Sequence, residues 1–348
     1  MQYSIEADTL KKTFTGKHEV RALDGVSFNV AEGTVFGLLG PNGSGKTTAV
    51  RILTTILQPD SGRARVLGHD VAKQSSLVRS LIGLAGQYAA VDENLTGREN
   101  LQMVGRLNHL PRSTVAGRAK ELLDQFDLAD AADRILKTYS GGMRRRLDLA
   151  AALVARPSVL FLDEPTTGLD PQSRNDLWEV IESLVGGGTT VLLTTQYLEE
   201  ADRLAHSLAV LDHGHVIAEG TPEELKADLG ATVLEVGLDT IDDARRAAEL
   251  FGPLGSHTPL VSGTVVEVTV DNGPESAMAG LRLLDQAGIV PATFTLREPS
   301  LDDVFLALTG RRTENEADQD GDPALSGGGR GRRRGSPAME TVGMGELS

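Results

Sequence analysis

Apolar residues up to about position 229 occur in short continuous runs, separated by longer segments with helical periodicity. Three runs, rich in Val, Leu and Thr, cover residues 34–39, 159–162 and 190–193. A strand that is apolar throughout is typical of a parallel sheet buried on both faces, and its alternation with helices indicates an α/β fold. We therefore predict an α/β domain built around a mostly parallel, buried sheet.

A change of pattern near position 230 predicts a domain boundary. The segment TPEELKADLG places Thr221 three residues before Glu224, as in a helix capping box, and ends on Gly230, a residue type that commonly stops a helix. The sequence that follows alternates strand and helix patterns and finishes with a short helix. We predict a large first domain over residues 1–229 and a small α+β domain over residues 230–310.

Residues 311–348 are polar and rich in glycine, with few large apolar side chains. Such a segment buries too little apolar surface to offset the entropy cost of ordering it, so we predict a disordered tail. A basic cluster, Arg330 with residues 332–334, suits contact with anionic lipid or nucleic acid, or simple solvation within a linker. Acidic residues elsewhere leave the tail close to neutral, which favours the linker.

Composition narrows the class of partner. The chain has 348 residues and a formal net charge of −15, which opposes a nucleic-acid partner because that requires a strong basic bias. With 0 Cys, it has neither disulfides nor thiolate metal sites. No apolar run approaches the roughly 18 residues of a membrane span, and the N-terminal sequence lacks a signal pattern. We expect a protein that is cytoplasmic or peripheral to a membrane.

A glycine-rich motif, GPNGSGKT, follows the first apolar run. It fits G-x-x-x-x-G-K-[ST] and lies between a predicted strand and a predicted helix, as a phosphate-binding P-loop does. Main-chain N–H groups would surround the phosphates of ATP, Lys46 would contact the β- and γ-phosphates, and the Thr47 hydroxyl would bind Mg²⁺. The predicted ATP-binding residues here are Gly40, Pro41, Asn42, Gly43, Ser44, Gly45, Lys46, Thr47 and Thr48. Several NTPase classes share this motif, so the class depends on what accompanies it.

Two carboxylates end the second apolar run, in the sequence VLFLDEP. At the end of a buried strand, Asp163 is predicted to lie near Mg²⁺, and Glu164 to orient or deprotonate the attacking water. Ordinary surface charge is the alternative for such a pair.

A second candidate phosphate site lies in the sequence YSGGM, ahead of a helical stretch. Ser140 would cap this helix, and with Gly141 and Gly142 it would leave N–H groups and the helix dipole for a phosphate. One ATP needs only one such cradle. A second one in the same chain predicts a homodimer in which Ser140 of one subunit closes on the nucleotide held by Lys46 of the other.

These segments resemble the Walker A, signature and Walker B motifs of ATP-binding cassette (ABC) ATPases, over about residues 3–229. The resemblance implies a P-loop NTPase fold with a helical subdomain. It also assigns three more residues. Phe14 would stack on adenine, with a strand-core Phe as the alternative; Gln87 would reach Mg²⁺ or the attacking water as the Q-loop residue. Asp170, in GLD, would cross the dimer interface as part of the D-loop; a turn and helix cap before Pro171 is the alternative.

Two residues depart from the general ABC pattern. The signature has Met143 in place of the usual Gln, and Gln196 occupies the position of the switch histidine, which contacts the γ-phosphate. A Gln amide donates a hydrogen bond but does not become a cation near neutral pH, so some transition-state stabilisation is lost. We assign Gln196 to the catalytic site and predict slow rather than absent hydrolysis.

Four segments make the resemblance more specific. Residues 86–88 (GQY), 137–146 (KTYSGGMRRR), 193–197 (LTTQY) and 301–310 (LDDVFLALTG) together resemble the daunorubicin/doxorubicin resistance ATP-binding subunits of bacterial antibiotic exporters. This resemblance implies drug or antibiotic efflux through a separate multi-span membrane permease, a location on the cytoplasmic face of the cell membrane, and a C-terminal domain involved in assembly. It also makes Gln196 a trait of that family.

Two other functions remain open at this stage. One is a soluble ABC ATPase acting on ribosomes or DNA, although such proteins usually join two cassettes or insert a long coiled coil, and this chain has neither feature. The other is a nucleotide-gated dimer switch in which Gln196 has abolished turnover. Comparing ATP turnover of wild type and Glu164→Gln distinguishes the switch from the ATPase.

Overall fold

The computed structural model describes residues 2–16, 19–86, 91–229, 232–256 and 258–309. Within these ranges the elements follow in this order: β1 (Tyr3–Thr15), β2 (Glu19–Ala31), β3 (Val35–Leu39), α1 (Lys46–Leu53), β4 (Ser61–Val66), β5 (His69–Asp70), α2 (Ser75–Leu81), β6 (Ile82–Ala85), α3 (Gly97–Leu107), α4 (Arg112–Gln125), α5 (Gly141–Ala152), β7 (Val159–Asp163), α6 (Pro171–Gly186), β8 (Thr190–Thr195), α7 (Leu198–Leu204), β9 (Ser207–Asp212), β10 (His215–Gly220), α8 (Pro222–Leu229), β11 (Thr232–Gly237), α9 (Ile241–Phe251), β12 (Leu260–Ser262), β13 (Val265–Val270), α10 (Gly273–Gln286), β14 (Thr293–Arg297) and α11 (Leu301–Thr309). None of the helices in these ranges is both long and apolar enough to cross a membrane.

A six-stranded sheet forms the centre of the first domain, in the order β10-β9-β3-β8-β7-β6. The strands from β9 to β6 run parallel, and only β10 pairs antiparallel. Every residue of β3, β7 and β8 is buried, because the sheet is covered on both faces. The predicted α/β fold with a mostly parallel, buried sheet is confirmed.

A second, antiparallel sheet has the order β2-β1-β4-β5 and was not predicted. Its long strands alternate buried and exposed residues, so each presents one apolar face. That face packs with β3, β7 and α1 in a common core that includes Leu10, Phe28 and Phe36. The Phe28 and Phe36 rings are stacked, with centroids 5.1 Å apart.

The predicted helical subdomain consists of α3, α4 and α5, which lie in the chain between the parallel neighbours β6 and β7. A capping box begins α3, in which Thr96 accepts from the Glu99 N–H and the Glu99 carboxylate accepts from the Thr96 N–H. The three helices and α6 enclose an apolar core that contains Leu101, Leu122 and Trp178. This core positions α5, the helix that follows the signature sequence.

The C-terminal part folds as β11-α9-β12-β13-α10-β14, with a four-stranded antiparallel sheet in the order β12-β13-β11-β14. The elements predicted from the sequence are present, and the short β12 is additional. Buried residues from alternate positions of β11 and β13 pack against α9 and α10. The α+β character predicted for this region is confirmed.

The helix α11 packs against α7 and α8 of the first domain. Leu301, Val304 and Phe305 are buried in one cluster with Leu39 and Leu198. The predicted capping box of α8 is present, since Glu224 N–H donates to Thr221 Oγ1 at 3.1 Å and Thr221 N–H donates to Glu224 Oε2 at 2.9 Å.

Arg297, the last residue of β14, joins α11 to the C-terminal sheet. Its guanidinium bonds Asp303 on α11 and Glu267 on β13, the latter at 2.9 Å. These carboxylates raise the pKa of Arg297, and the Arg297 and Ser300 donors lower the pKa of Asp303 against the opposing effect of burial. The docked position of α11 is therefore held by charge as well as by apolar contact.

Candidate functional site

The glycine-rich loop connects β3 to α1 and has the geometry of a phosphate cradle. Gly40 and Gly45 adopt φ angles of 152° and 113°, in a region that disfavours other residues. A side chain at Gly45 would also collide with the Ala22 carbonyl. Gly45 precedes the first residue of α1 and has no side chain to cap it, so the first N–H groups of that helix face the loop as an anion site.

Lys46 begins α1 and is almost fully buried. Its ammonium donates to the carbonyls of Gly40 at 2.6 Å and Pro41 at 3.1 Å, and it lies 3.6 Å from Glu164 Oε1. Both side chains of this ion pair are largely enclosed, with exposures of 4% and 9%. The structure therefore brings the predicted phosphate-binding lysine and the predicted catalytic carboxylate into direct contact.

Asp163 ends β7 with its carboxylate enclosed between two hydroxyls. Thr47 Oγ1 donates to Asp163 Oδ1 at 3.2 Å, and Thr194 Oγ1 donates to the same oxygen at 2.5 Å. Carboxylate and hydroxyl oxygens are the donor type that Mg²⁺ prefers, usually with waters and phosphate completing the shell. The Thr47 and Asp163 pair thus fits the metal predicted for this position.

Glu164 has an unusual backbone conformation, with a φ of 50° in the left-handed region. Non-glycine residues seldom occupy that region unless the surroundings hold them there. The Glu164 N–H donates to both the carbonyl, at 3.0 Å, and the hydroxyl, at 3.1 Å, of Thr194 on the neighbouring strand β8. Gln196 directly follows β8, so it belongs to the same edge of the central sheet.

The signature segment begins α5 as predicted. Ser140 caps that helix, and its hydroxyl accepts from the Met143 N–H at 3.2 Å. A side chain at Gly142 would lie about 2.5 Å from Ser173 Oγ, so glycine permits α5 to pack closely on the start of α6. Gly141 is exposed beside it.

Asp170 caps α6, with Ser173 N–H donating to its Oδ1 at 3.0 Å. This N–H donor lowers the pKa of Asp170. The helix-cap alternative for GLD is thus present in the structure, and a cap is compatible with a place at a dimer interface.

Phe14 lies near the end of β1 with 43% of its surface exposed, so the strand-core alternative does not apply. The Lys12 ammonium lies 5.9 Å from the centre of its ring. An exposed aromatic face beside a cation suits stacking on a base. The prediction for Gln87, and that for the tail, fall outside the described residues.

Thr194 and Arg145 contribute to the site but were not predicted from the sequence. Thr194, on β8, bonds both Asp163 and Glu164. The sequence signal for its role was a hydroxyl side chain near the end of a strand that is predicted to be buried. Arg145 donates to the carbonyls of Pro165 at 2.6 Å and Gly86 at 2.7 Å. The sequence signal for Arg145 was its position three residues before Asp148, which places two opposite charges on one face of the predicted helix.

Glu200 on α7 was also missed. It is fully buried, and Trp178 Nε1 on α6 donates to its Oε1 at 3.1 Å. Burial raises the pKa of Glu200, while the Thr195 and Trp178 donors act in the opposite direction. This carboxyl links the helix after Gln196 to the helix after the D-loop.

Protein families match both parts of the chain. The family model described as "ABC transporter" matches residues 23–167, and the one described as "ATP-binding protein DrrA1-3-like, C-terminal domain" matches residues 220–309. A solved ATP-binding cassette, a dimer in a post-hydrolysis state with ADP and Pi, aligns with a TM-score of 0.58 and 25% identity, over 62% of this chain and 98% of that one. A nucleotide-free cassette from an ABC transporter aligns with a TM-score of 0.59 and 27% identity, over 65% and 94%.

Curated relatives match about nine-tenths of the chain. The daunorubicin resistance ATP-binding protein DrrA2 of Streptomyces coeruleorubidus is 53% identical over 90% of this chain and 97% of its own length. The daunorubicin/doxorubicin resistance ATP-binding protein DrrA of Streptomyces peucetius is 50% identical over 91% and 97%. The Nod factor export ATP-binding protein I of Paraburkholderia xenovorans is 40% identical over 90% and 99%. The chain belongs to the daunorubicin/doxorubicin resistance ATP-binding protein family, the ATP-hydrolysing subunits of ABC exporters.

Proposed function

We propose that two copies of this chain, on the cytoplasmic face of the cell membrane, use MgATP to drive export of a drug or antibiotic-like secondary metabolite through a separate membrane subunit. The observation that carries the proposal is the similarity to resistance proteins along both the cassette and the C-terminal region. Relatives named for drug resistance and for Nod factor export both suggest outward transport.

The chemistry follows from the contact between Lys46 and Glu164. Phosphate oxygens would compete with Glu164 for the Lys46 ammonium, which now lies 3.6 Å from the carboxylate. Once Lys46 turns to phosphate, the Glu164 carboxylate is left to orient water and accept its proton. The Gln196 amide at the same sheet edge would donate to the γ-phosphate, without the positive charge of a protonated histidine.

Thr47 and Asp163 would hold Mg²⁺ through their oxygens, which donate and accept a hydrogen bond at 3.2 Å in the structure. Bound there, Mg²⁺ would neutralise charge on the β- and γ-phosphate oxygens. Thr194 supports this site because its hydroxyl bond restrains the Asp163 carboxylate.

Ser140→Arg is expected to abolish ATP-dependent dimerisation while leaving ATP binding by the monomer unchanged. Ser140 is exposed and caps α5, so a long side chain there would obstruct the phosphates of the ATP that the second subunit holds. Light scattering with and without MgATP, in a Glu164→Gln background, measures the dimer. Ser183→Arg, at an exposed position of α6, is the matched control. A Ser140→Arg chain that dimerises like the control contradicts the shared-site proposal.

The membrane partner is tested by trapping the complex. The Glu164→Gln chain is expressed with its native membranes, given MgATP, solubilised gently and purified, and the proteins that accompany it are identified. Recovery of a multi-span membrane protein in equal number supports the transporter; recovery of soluble dimer alone, ribosomes or DNA contradicts it. Lys46→Ala serves as the control, because a chain that cannot hold nucleotide should not be trapped.

The substrate class is tested with the recovered pair in inverted membrane vesicles. ATP-dependent uptake of daunorubicin that disappears when the cassette carries Glu164→Gln supports drug export. ATPase activity coupled to no such amphipathic probe contradicts that part of the proposal while leaving the ATPase assignment intact.

A further inference from the structure

We propose that Arg145 is a positioning residue that ties the signature helix to the backbone of Glu164, so that movement of α5 changes the alignment of the catalytic carboxylate. This inference rests on the role proposed for Glu164. Arg145 itself would not contact nucleotide in the proposed site.

The guanidinium of Arg145 lies between two chain segments. On one side it donates to three successive carbonyls, from the last residue of β7 onward: Nε to Pro165 at 2.6 Å, and Nη2 to Glu164 at 3.2 Å and Asp163 at 3.4 Å. On the other side, Nη1 donates to the Gly86 carbonyl at 2.7 Å. Five donors in a planar fork allow one side chain to hold both segments at once.

Burial strengthens this arrangement. The Arg145 side chain is only 14% exposed, and Asp148, one turn further along α5, lies 3.4 Å from its Nη1. Burial lowers the pKa of Arg145, and the nearby carboxylates of Asp148, Glu200 and Asp163 oppose that effect. An enclosed guanidinium bonded to carbonyls is poorly replaced by water, so its loss should release the backbone it holds.

The backbone that Arg145 holds is that of Glu164, whose left-handed conformation has to be restrained by its surroundings. Glu164 has a φ of 50°, and its N–H is bound by Thr194 on β8 while its carbonyl accepts from Arg145 on α5. The peptide units on both sides of the Glu164 side chain are therefore anchored by different elements. A shift of either anchor would redirect the carboxylate relative to phosphate bound at Lys46.

The helix carries this restraint towards the predicted partner subunit. Ser140 caps α5, and Arg145 lies in its second turn, so the two residues move together as parts of one short helix. In the proposed dimer, nucleotide of the second subunit contacts the Ser140 end. Closure of the dimer on that nucleotide would then shift α5, and through Arg145 it would set the position of Glu164 in the same subunit's own ATP site. Gly86, the residue before the predicted Gln87, is bonded to Arg145 and would move with it.

Arg118 offers a matched control within the same core. Its side chain is 13% exposed, it donates to the Leu153 carbonyl at 2.7 Å and the Val154 carbonyl at 3.4 Å, and it pairs with Glu121 at 2.6 Å. It thus clamps the segment after α5 in the same way, but away from Glu164. A purely structural role predicts similar consequences for Arg145→Gln and Arg118→Gln.

The test uses the full chain with Arg145→Gln, Arg118→Gln and Arg145→Lys, and measures ATP affinity, kcat, KM and thermal midpoint. For Arg145→Gln we expect kcat to fall by about 100-fold, because small misplacement of a catalytic group has effects of that order, with ATP affinity unchanged. Arg118→Gln should lower the thermal midpoint without a comparable loss of kcat. Arg145→Lys, which keeps the charge but not the fork, should recover part of kcat.

Equal losses of kcat in Arg145→Gln and Arg118→Gln, at the same folded fraction, would overturn the inference. So would a loss of ATP affinity that accounts for the whole change in Arg145→Gln. If Arg145→Gln does not fold, Arg145→Lys decides the question: wild-type kcat contradicts the inference, and reduced kcat with unchanged ATP affinity supports it. Glu164→Gln with normal turnover would refute the Glu164 role, and with it the inference; a failure of Arg145 alone leaves that role intact.

Discussion

ATP turnover by the Glu164→Gln chain is expected to fall by about 10²- to 10⁴-fold, the usual contribution of a positioned general base. Gln has nearly the same shape as Glu but cannot accept the proton of the attacking water. Glu164 is held where that change matters, 3.6 Å from the Lys46 ammonium and with both flanking peptide groups bonded. Steady-state phosphate release measures the effect.

ATP affinity of the Glu164→Gln chain should be at least that of wild type, because the substitution removes a negative charge that competes with phosphate for Lys46. Glu179→Gln, at an exposed position of α6, controls for loss of one carboxylate. Unchanged turnover in Glu164→Gln would favour the nucleotide-gated dimer switch, in which ATP binding without hydrolysis controls dimerisation.

Lys46→Ala is expected to weaken ATP binding by about 2 kcal/mol or more, roughly 30-fold or more in Kd, as is usual when one member of a buried charged contact is removed. Only 4% of the Lys46 side chain is exposed, and its ammonium is held by the loop carbonyls of Gly40 and Pro41. It therefore reaches phosphate with little loss of side-chain freedom. Equilibrium binding of a fluorescent ATP analogue measures the change.

Lys11→Ala is the control for removing a lysine ammonium, because Lys11 is about half exposed and pairs with Asp24 at the surface. Exposed ion pairs of this kind contribute little, so its ATP affinity should match wild type. Equal ATP affinity of the Lys46→Ala and wild-type chains would mean that the glycine-rich loop is not the nucleotide site.

Local sequence signals were sufficient for much of the fold. The capping box of Thr221 and Glu224, the cap at Ser140 and the apolar run that becomes β7 each depend on residues close together in the chain, and each appears as predicted. The antiparallel sheet formed by β1, β2 and β4 was missed. The β1–β4 pairing joins segments that are far apart in the chain, and the pairings of β1 with β2 and with β4 both include register shifts, which no local pattern reveals.

The candidate site was predictable where chemistry follows from residue type. Lys46, Asp163 and Glu164 were identified from their motifs, and the structure brings them together. Arg145 was not identified, because its partners are main-chain carbonyls, which every residue possesses. The left-handed backbone of Glu164 likewise has no signature in the sequence, since the bonds that hold it come from β8 and α5, which are remote in the chain.

The docking of α11 on the first domain has a consequence for the order in which the protein matures. Leu301, Val304 and Phe305 complete an apolar cluster whose other members include Leu39, at the end of the strand that leads into the glycine-rich loop, and Leu208. A ribosome releases the N-terminal part first, so this surface stays open until the last helix emerges. A gene fragment ending at residue 229 would keep it open permanently and tend to aggregate. The boundary predicted near residue 230 therefore marks a change of sequence pattern. One apolar cluster of the nucleotide-binding domain is nevertheless completed by α11, which is synthesised about seventy residues after that boundary.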